Sequence, residues 1–143
     1  MIKITNLNKY FYYKKSNQIH VVNNTSVTFP QTGLVTILGE SGCGKTTLLN
    51  ILGGLDDFHS GTIEYDDVKI NKYSSKKIDK IRNEKIGYIF QSYLLLQQRT
   101  VYENLHLLLN MYDLTNEEKE SRIDYVLKAV GTMRYKKKNV SEL

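Results

Sequence analysis

Eight consecutive residues carry the most legible chemistry in this chain: Gly39, Glu40, Ser41, Gly42, Cys43, Gly44, Lys45 and Thr46. Their spacing matches G-x-x-x-x-G-K-[ST], a loop that cradles phosphates when a strand precedes it and a helix follows. The residue types explain why. Gly39, Gly42 and Gly44 admit backbone angles and close approaches that a Cβ would block, so successive N–H groups can converge on an anion. Glu40 and Ser41 complete the turn between them. Lys45 offers a compact cation to the β- and γ-phosphates of a nucleotide, and the Thr46 hydroxyl offers an oxygen ligand to Mg²⁺. Thr47 adds a further phosphate contact, and a helix starting near Thr46 turns its positive end toward the same spot. Cys43 is the only cysteine of the chain; any small residue would fill its slot, and it reads as a packing choice.

The elements needed to position this loop are present on both sides. The run Leu34 to Leu38, LVTIL, is continuously apolar and β-branched, the pattern of a strand buried on both faces of an α/β sheet. From Thr46, TTLLNILGG has helical spacing through Leu48, Leu49 and Leu52 and stops at Gly53 and Gly54. Ile2 and Ile4, and then Val22 to Phe29 with Val27 and Phe29 on one face, predict two half-buried strands separated by the polar loop FYYKKSNQ. GTIEYDDVKI predicts a short hairpin with apolar Ile63, Tyr65, Val68 and Ile70 around a turn at Asp66 and Asp67. A helix through Ile78 and Ile81 leads to a second buried strand, Ile86 to Phe90. After the loop QSYLLLQQRT, helices are expected over Val101 to Tyr112 and Asn116 to Val130. The latter has a capping box of Thr115 and Glu118 and an apolar stripe at Ile123, Val126, Leu127 and Val130.

Composition bounds the remaining possibilities. The chain has 143 residues, 41% hydrophobic and 24% charged, which suits one compact domain and excludes disorder and fibrous repeats. No apolar run approaches the length of a membrane span, and the polar start lacks the apolar core of a secretory signal. One cysteine forms no internal disulfide, which suits a cytosolic setting. Net charge is +5, unevenly placed: residues 69 to 85 hold seven Lys or Arg and two acids, whereas 41 to 68 hold one Lys and five acids. A nucleic-acid stripe would interleave aromatics and cluster arginines. KINKYSSKKIDKIRNEK has one Tyr, one Arg and the apolar periodicity of a docked helix, so it reads as a solvated helix face, and nucleic acid is not expected as a partner.

The stretch VTILGESGCGKTTLLNILGGLD, followed by SGTIEYDD, IRNEKIGYIFQSYLLL and TVYENL, closely resembles the nucleotide-binding domain of ABC transporters over essentially the whole chain. LGGLD and IGYIFQ look most like the subgroup serving lipoprotein release, macrolide export and peptide-antibiotic resistance. The resemblance implies an α/β P-loop NTPase fold with an antiparallel β subdomain and a helical subdomain beginning at about residue 92. It implies ATP and Mg²⁺ as cofactors, and an aromatic near residue 11 stacked on adenine: Phe11, with Tyr13 the second candidate. It places Gln91 in the Q-loop, where its amide oxygen reaches Mg²⁺ and the attacking water, so that Lys45 and Gln91 carry the catalytic roles and Thr46 and Gln91 the metal. Glu103 and Asn104 sit where the helical subdomain begins and read as an exposed helix start.

Family members hydrolyse ATP with an LSGGQ-type signature, a strand ending in Asp, a following Glu and a later His. None of these follows within the chain; Leu143 matches at most the first letter of the signature, and His20, His59 and His106 all precede the switch position. The expectation is an N-terminal part of one ATP-binding domain that leaves an apolar sheet edge uncovered. The full-length parent is expected to power membrane-spanning subunits as a homodimer at the inner face of the cell membrane, exporting or extracting peptide, lipoprotein or drug. The isolated chain is expected to bind MgATP without hydrolysing it. Two alternatives stand beside this: a nucleotide-binding module without catalysis, and a soluble ABC-type protein acting on ribosome or DNA, which rests only on the basic segment.

Overall fold

The computed structural model describes residues 1–13, 17–71, 75–90 and 92–143. They form two compact units, Met1–Tyr88 and Ile89–Leu143. In the first, four antiparallel strands, β1 (Ile2–Tyr13), β2 (Asn17–Phe29), β3 (Ser60–Tyr65) and β4 (Val68–Ile70), are ordered β2-β1-β3-β4. Helices α1 (Lys45–Leu52) and α2 (Ser75–Lys85) bury Ile51, Leu52, Ile78 and Ile81 in the same core as Ile4, Leu7, Ile63 and Ile70 of the sheet. The hairpin closes as expected, pairing Ile63 with Ile70 and Tyr65 with Val68, with Asp66 in the left-handed region at φ 51°.

Strand β1 does not keep a simple alternation. Continued from Ile4, a period of two would turn Asn6 and Asn8 into the core. Instead the register against β2 shifts between Ile4 and Leu7, with Asn6 left-handed at φ 49°. One extra residue at a bulge moves the following side chains to the opposite face. Leu7 and Lys9 therefore take the buried positions. The displaced polar groups are satisfied locally: the Asn6 N–H donates to Ser26 Oγ at 2.9 Å, and that hydroxyl donates to Asn6 Oδ1 at 3.1 Å.

Three expectations are corrected. Of the polar loop expected over Phe11 to Gln18, the described residues belong to β1 and β2, which pair Phe11 with Ile19, Tyr12 with Gln18 and Tyr13 with Asn17, while residues 14–16 lie outside the described residues. The run Leu34 to Leu38 is coil, with Leu34 94% and Leu38 85% exposed. Residues 86–90 are also coil, with Ile89 fully exposed while Ile86 packs on the core. A strand of a parallel sheet takes its hydrogen bonds from sequence-distant neighbours. The sheet formed by the described residues is antiparallel throughout and includes neither run.

The second unit is helical. Helix α3 (Val101–Leu109) ends before the expected Tyr112, and α4 spans Asn116–Ala129. Both begin with a complete capping box, Thr100 with Glu103 and Thr115 with Glu118. Glu103 is thus a cap as well as an exposed helix start. Asn104 fastens the preceding loop, accepting from the Leu96 N–H at 2.9 Å and donating to the carbonyls of Leu96 at 3.2 Å and Thr100 at 2.9 Å. Of the stripe on α4, Ile123 and Leu127 are buried, whereas Val126 and Val130 are exposed. Lys136 donates to Asp124 at 2.6 Å and also to Glu120, closing the C-terminal turns onto α4.

One buried polar contact fixes where α1 ends. The Tyr65 hydroxyl donates to the carbonyl of Leu52, the last residue of α1, at 2.6 Å, and burial pushes the phenol pKa up to about 12. Carbonyls in a last helical turn lack intrahelical donors, so this hydroxyl replaces a missing partner. Tyr65→Phe keeps the ring and orphans the acceptor. It is expected to cost about 1–2 kcal/mol, read as a lower urea midpoint at unchanged slope.

Candidate functional site

The glycine-rich segment leads directly into α1. Gly44 is the residue before the helix, left-handed at φ 97°, and no side chain caps the first turn. No acidic residue stands in that turn either. The leading N–H groups of a helix have no acceptor within it, and their combined dipole favours an anion in front of them. Gly44 also lies against the sheet. A Cβ there would fall 2.9 Å from the Val21 carbonyl oxygen and 3.0 Å from Val21 Cγ1. Position 44 thus needs glycine for both its dihedral angle and its space.

Lys45 folds back over its own loop. Its ammonium donates to the carbonyls of Gly39 at 2.8 Å and Glu40 at 2.6 Å, and lies 3.7 Å from Cys43 Sγ. A lysine ammonium has three donors and no acceptor, so it draws neutral carbonyls together and can exchange them for anionic oxygens. The loop is closed by Cys43 N–H donating to the Glu40 carbonyl at 3.3 Å.

A cleft of about 280 Å³ opens beside this loop, lined by Phe11, Val21, Gly42, Gly44, Lys45, Thr46 and Thr47. The structure therefore gathers Phe11, from the far end of β1, with the second half of the loop and the start of α1. Phe11 is 42% exposed, so part of its ring is open for stacking. Gly39, Glu40, Ser41 and Cys43 do not line the cleft; Gly39 and Glu40 act through their carbonyls on Lys45. Gln91 lies outside the described residues, as does the side chain of Tyr13.

Two features of the site escape the motif. Val21 both lines the cleft and backs Gly44. Lys9, two residues before Phe11, is buried and holds its ammonium 5.0 Å from the Phe11 ring centroid. The available signal for Lys9 was a lysine among the apolar residues of a half-buried strand, but its inward direction follows from the bulge at Asn6. Among the described residues, no group of three or more His, Cys, Asp or Glu is arranged to hold a metal ion. Magnesium does not require one, since it is commonly held by one or two protein oxygens together with phosphate oxygens and water. Thr46, a hydroxyl-bearing residue that lines the cleft, suits that mode.

Comparison with known proteins gives a consistent result. The model of the ABC transporter family, ABC_tran, matches residues 22–143. The macrolide export ATP-binding/permease protein MacB of Mannheimia succiniciproducens is 37% identical over all 143 residues, which cover 22% of that protein. The lipoprotein-releasing system ATP-binding protein LolD of Buchnera aphidicola is also 37% identical over the whole chain, covering 62% of its length. Among solved structures, a dimeric ATP-binding cassette in a post-hydrolysis state, bound to ADP and Pi, superposes with a TM-score of 0.85 at 32% identity. That match covers 100% of this chain and 63% of the cassette. The chain thus spans less than two thirds of the length of these relatives.

The glycine geometry separates two effects. Gly42→Ala meets no atom within 4 Å and bears only the strain of φ 81°, whereas Gly44→Ala bears φ 97° and a collision with Val21. Gly42→Ala is expected to cost about 1 kcal/mol and Gly44→Ala about 3 kcal/mol or more, compared by urea unfolding of the two variants.

Proposed function

The chain belongs to the ABC transporter family, and from that premise we propose that residues 1–143 bind MgATP in the cleft between Phe11 and the loop 39–47. The observation that carries this reading is the convergence of an open aromatic ring, an uncapped helix start and a lysine on one cleft. Phe11 takes the adenine ring by stacking, which reads a π-face and does not require the hydroxyl of a tyrosine. Gly39, Glu40, Ser41, Gly42, Cys43 and Gly44 shape the loop whose N–H groups face the phosphates. Lys45 exchanges its two carbonyl partners for β- and γ-phosphate oxygens, and Thr47 adds a contact at the helix start. Thr46 and Gln91 would hold Mg²⁺, which supplies charge neutralisation between phosphate oxygens.

We place residues 1–143 as the N-terminal part of one ATP-binding domain, and assign hydrolysis to the full-length parent. The exposed apolar run at 34–38 supports this, because it has the composition of a central strand. In that parent, a second copy and membrane-spanning subunits complete the machine at the inner face of the membrane. No helix of the described residues is long and apolar enough to cross a membrane. Likeness to MacB and LolD favours export or extraction of drug, peptide or lipoprotein as the work done. A nucleic-acid role is weakened by the pairing of three basic residues of α2 within the chain, Lys85 with Asp66 at 2.8 Å, Arg82 with Asp79 and Lys80 with Glu84.

Calorimetry with MgATP tests the reading. The 143-residue chain is expected to bind one equivalent, and Lys45→Ala to weaken binding by at least about tenfold, as expected for losing a charged hydrogen-bond donor. Wild-type affinity in that variant would remove Lys45 from the site. Phosphate release by the same preparation is expected to stay at background; turnover above it would contradict binding without hydrolysis.

A further inference from the structure

Among the described residues, Lys9 is the only charged side chain buried in the core, at 4% exposure. Its ammonium donates to Asp56 Oδ1 at 2.7 Å and also to Asp57. Burial alone would lower its pKa, but the hydrogen bonds to the two carboxylates outweigh that and raise it, so the group is charged at neutral pH. Asp57 is correspondingly held below its ordinary value, chiefly by the hydrogen bond from Lys9. The acid pair is itself anchored, since the N–H groups of Leu55 and Asp56 both donate to the Asn50 carbonyl in α1, at 2.8 and 3.2 Å. Lys9 therefore joins the Phe11 end of β1 to the trailing end of the helix that begins at the phosphate loop.

Burying this cation is costly, and an apolar residue of the same length would fill the position with less desolvation. What an apolar residue would not do is act on the ring 5.0 Å away. A desolvated cation is drawn to the π-density of an aromatic face, and this attraction strengthens as water is excluded.

We propose that Lys9 is a positioning residue for the nucleobase: clamped by Asp56 and Asp57, it fixes the Phe11 ring at the cleft and strengthens stacking with a purine. It acts on the base end of the nucleotide and not on the phosphates. The inference rests on the reading of Phe11 as the base platform, and its test separates the two.

Binding of MgATP and of Mg-tripolyphosphate, which has no base, is measured by calorimetry on the 143-residue chain and on Lys9→Met, Lys9→Arg and Phe11→Ala. Lys9→Met is expected to weaken MgATP about 3- to 30-fold and to leave tripolyphosphate within about twofold. Lys9→Arg, which keeps a cation for both carboxylates and the ring, is expected to restore most of the ATP affinity. Loss of ATP preference in Phe11→Ala but not in Lys9→Met would overturn the role of Lys9 and leave the platform standing. An unchanged ATP-to-tripolyphosphate ratio in both would remove the platform as well. Equal weakening of both ligands in Lys9→Met would reduce Lys9 to a support of the fold. Should Lys9→Met not fold, Asp57→Ala decides the question. It removes one of the two carboxylates that clamp Lys9, from a side chain that is 60% exposed, and an unchanged ATP-to-tripolyphosphate ratio there would overturn the proposal.

Discussion

The site depends on one close approach, that of Gly44 to the backbone of Val21. The loop can enter α1 only if its last residue turns left-handed, and it can lie on the sheet only if that residue has no Cβ. Both conditions meet at a single position. Once they are satisfied, the axis of α1 and the directions of its leading N–H groups follow, and Lys45 is placed to close over Gly39 and Glu40. The other end of α1 is held by the Tyr65 hydroxyl on the Leu52 carbonyl. A helix of eight residues is too short to be stable alone. It is fixed at one end by a steric fit and at the other by a buried hydrogen bond.

The aromatic side of the cleft has a separate origin. Its placement comes from the bulge at Asn6, which brings Lys9 to the core face. The lysine then carries its charge inward to Asp56 and Asp57, which themselves hang from the last turn of α1. Phe11 and the phosphate loop, 28 residues apart from Phe11 to Gly39, are thus connected both through Val21 in β2 and through the ion cluster of buried Lys9 with the more exposed Asp56 and Asp57.

How far these features could be read from the sequence depended on how local their causes are. The phosphate loop, the start and stop of α1, the Asp66 hairpin and the Thr115 capping box are set within a few residues, and each stands where its spacing puts it. Thr100 and Glu103 have the same spacing as Thr115 and Glu118 and could have been read in the same way. The runs at 34–38 and 86–90 depart from their local pattern for the opposite reason. β-branched apolar residues declare a preference for a buried strand, but a strand exists only when neighbours accept its hydrogen bonds, and that is not a local property. At Phe11–Tyr13 and Asn17–Gln18 the cause is similar: tyrosines and polar residues suit a strand pair as soon as the register carries β1 and β2 past the core. Lys9 was illegible because its direction is decided by a bulge, and a bulge needs a partner strand to be defined.

The uneven charge along the chain also finds its explanation in three dimensions. The five acids of the stretch 41–68, from Asp56 to Asp67, follow the loop 39–47 and α1, and left uncompensated such carboxylates would oppose the binding of a polyanion. The structure sets cations against most of them. Lys9 takes Asp56 and Asp57, Lys69 takes Glu64 at 3.1 Å, and Lys85 takes Asp66 at 2.8 Å. Lys69 and Lys85 mark the two ends of the basic run, so that run is in part the counter-charge of the acids just before it. Exposed pairs of this kind add little to stability, being solvated and screened. Within the cleft itself the positive character comes from Lys45 and the uncapped start of α1, with no acid among the described residues that line it.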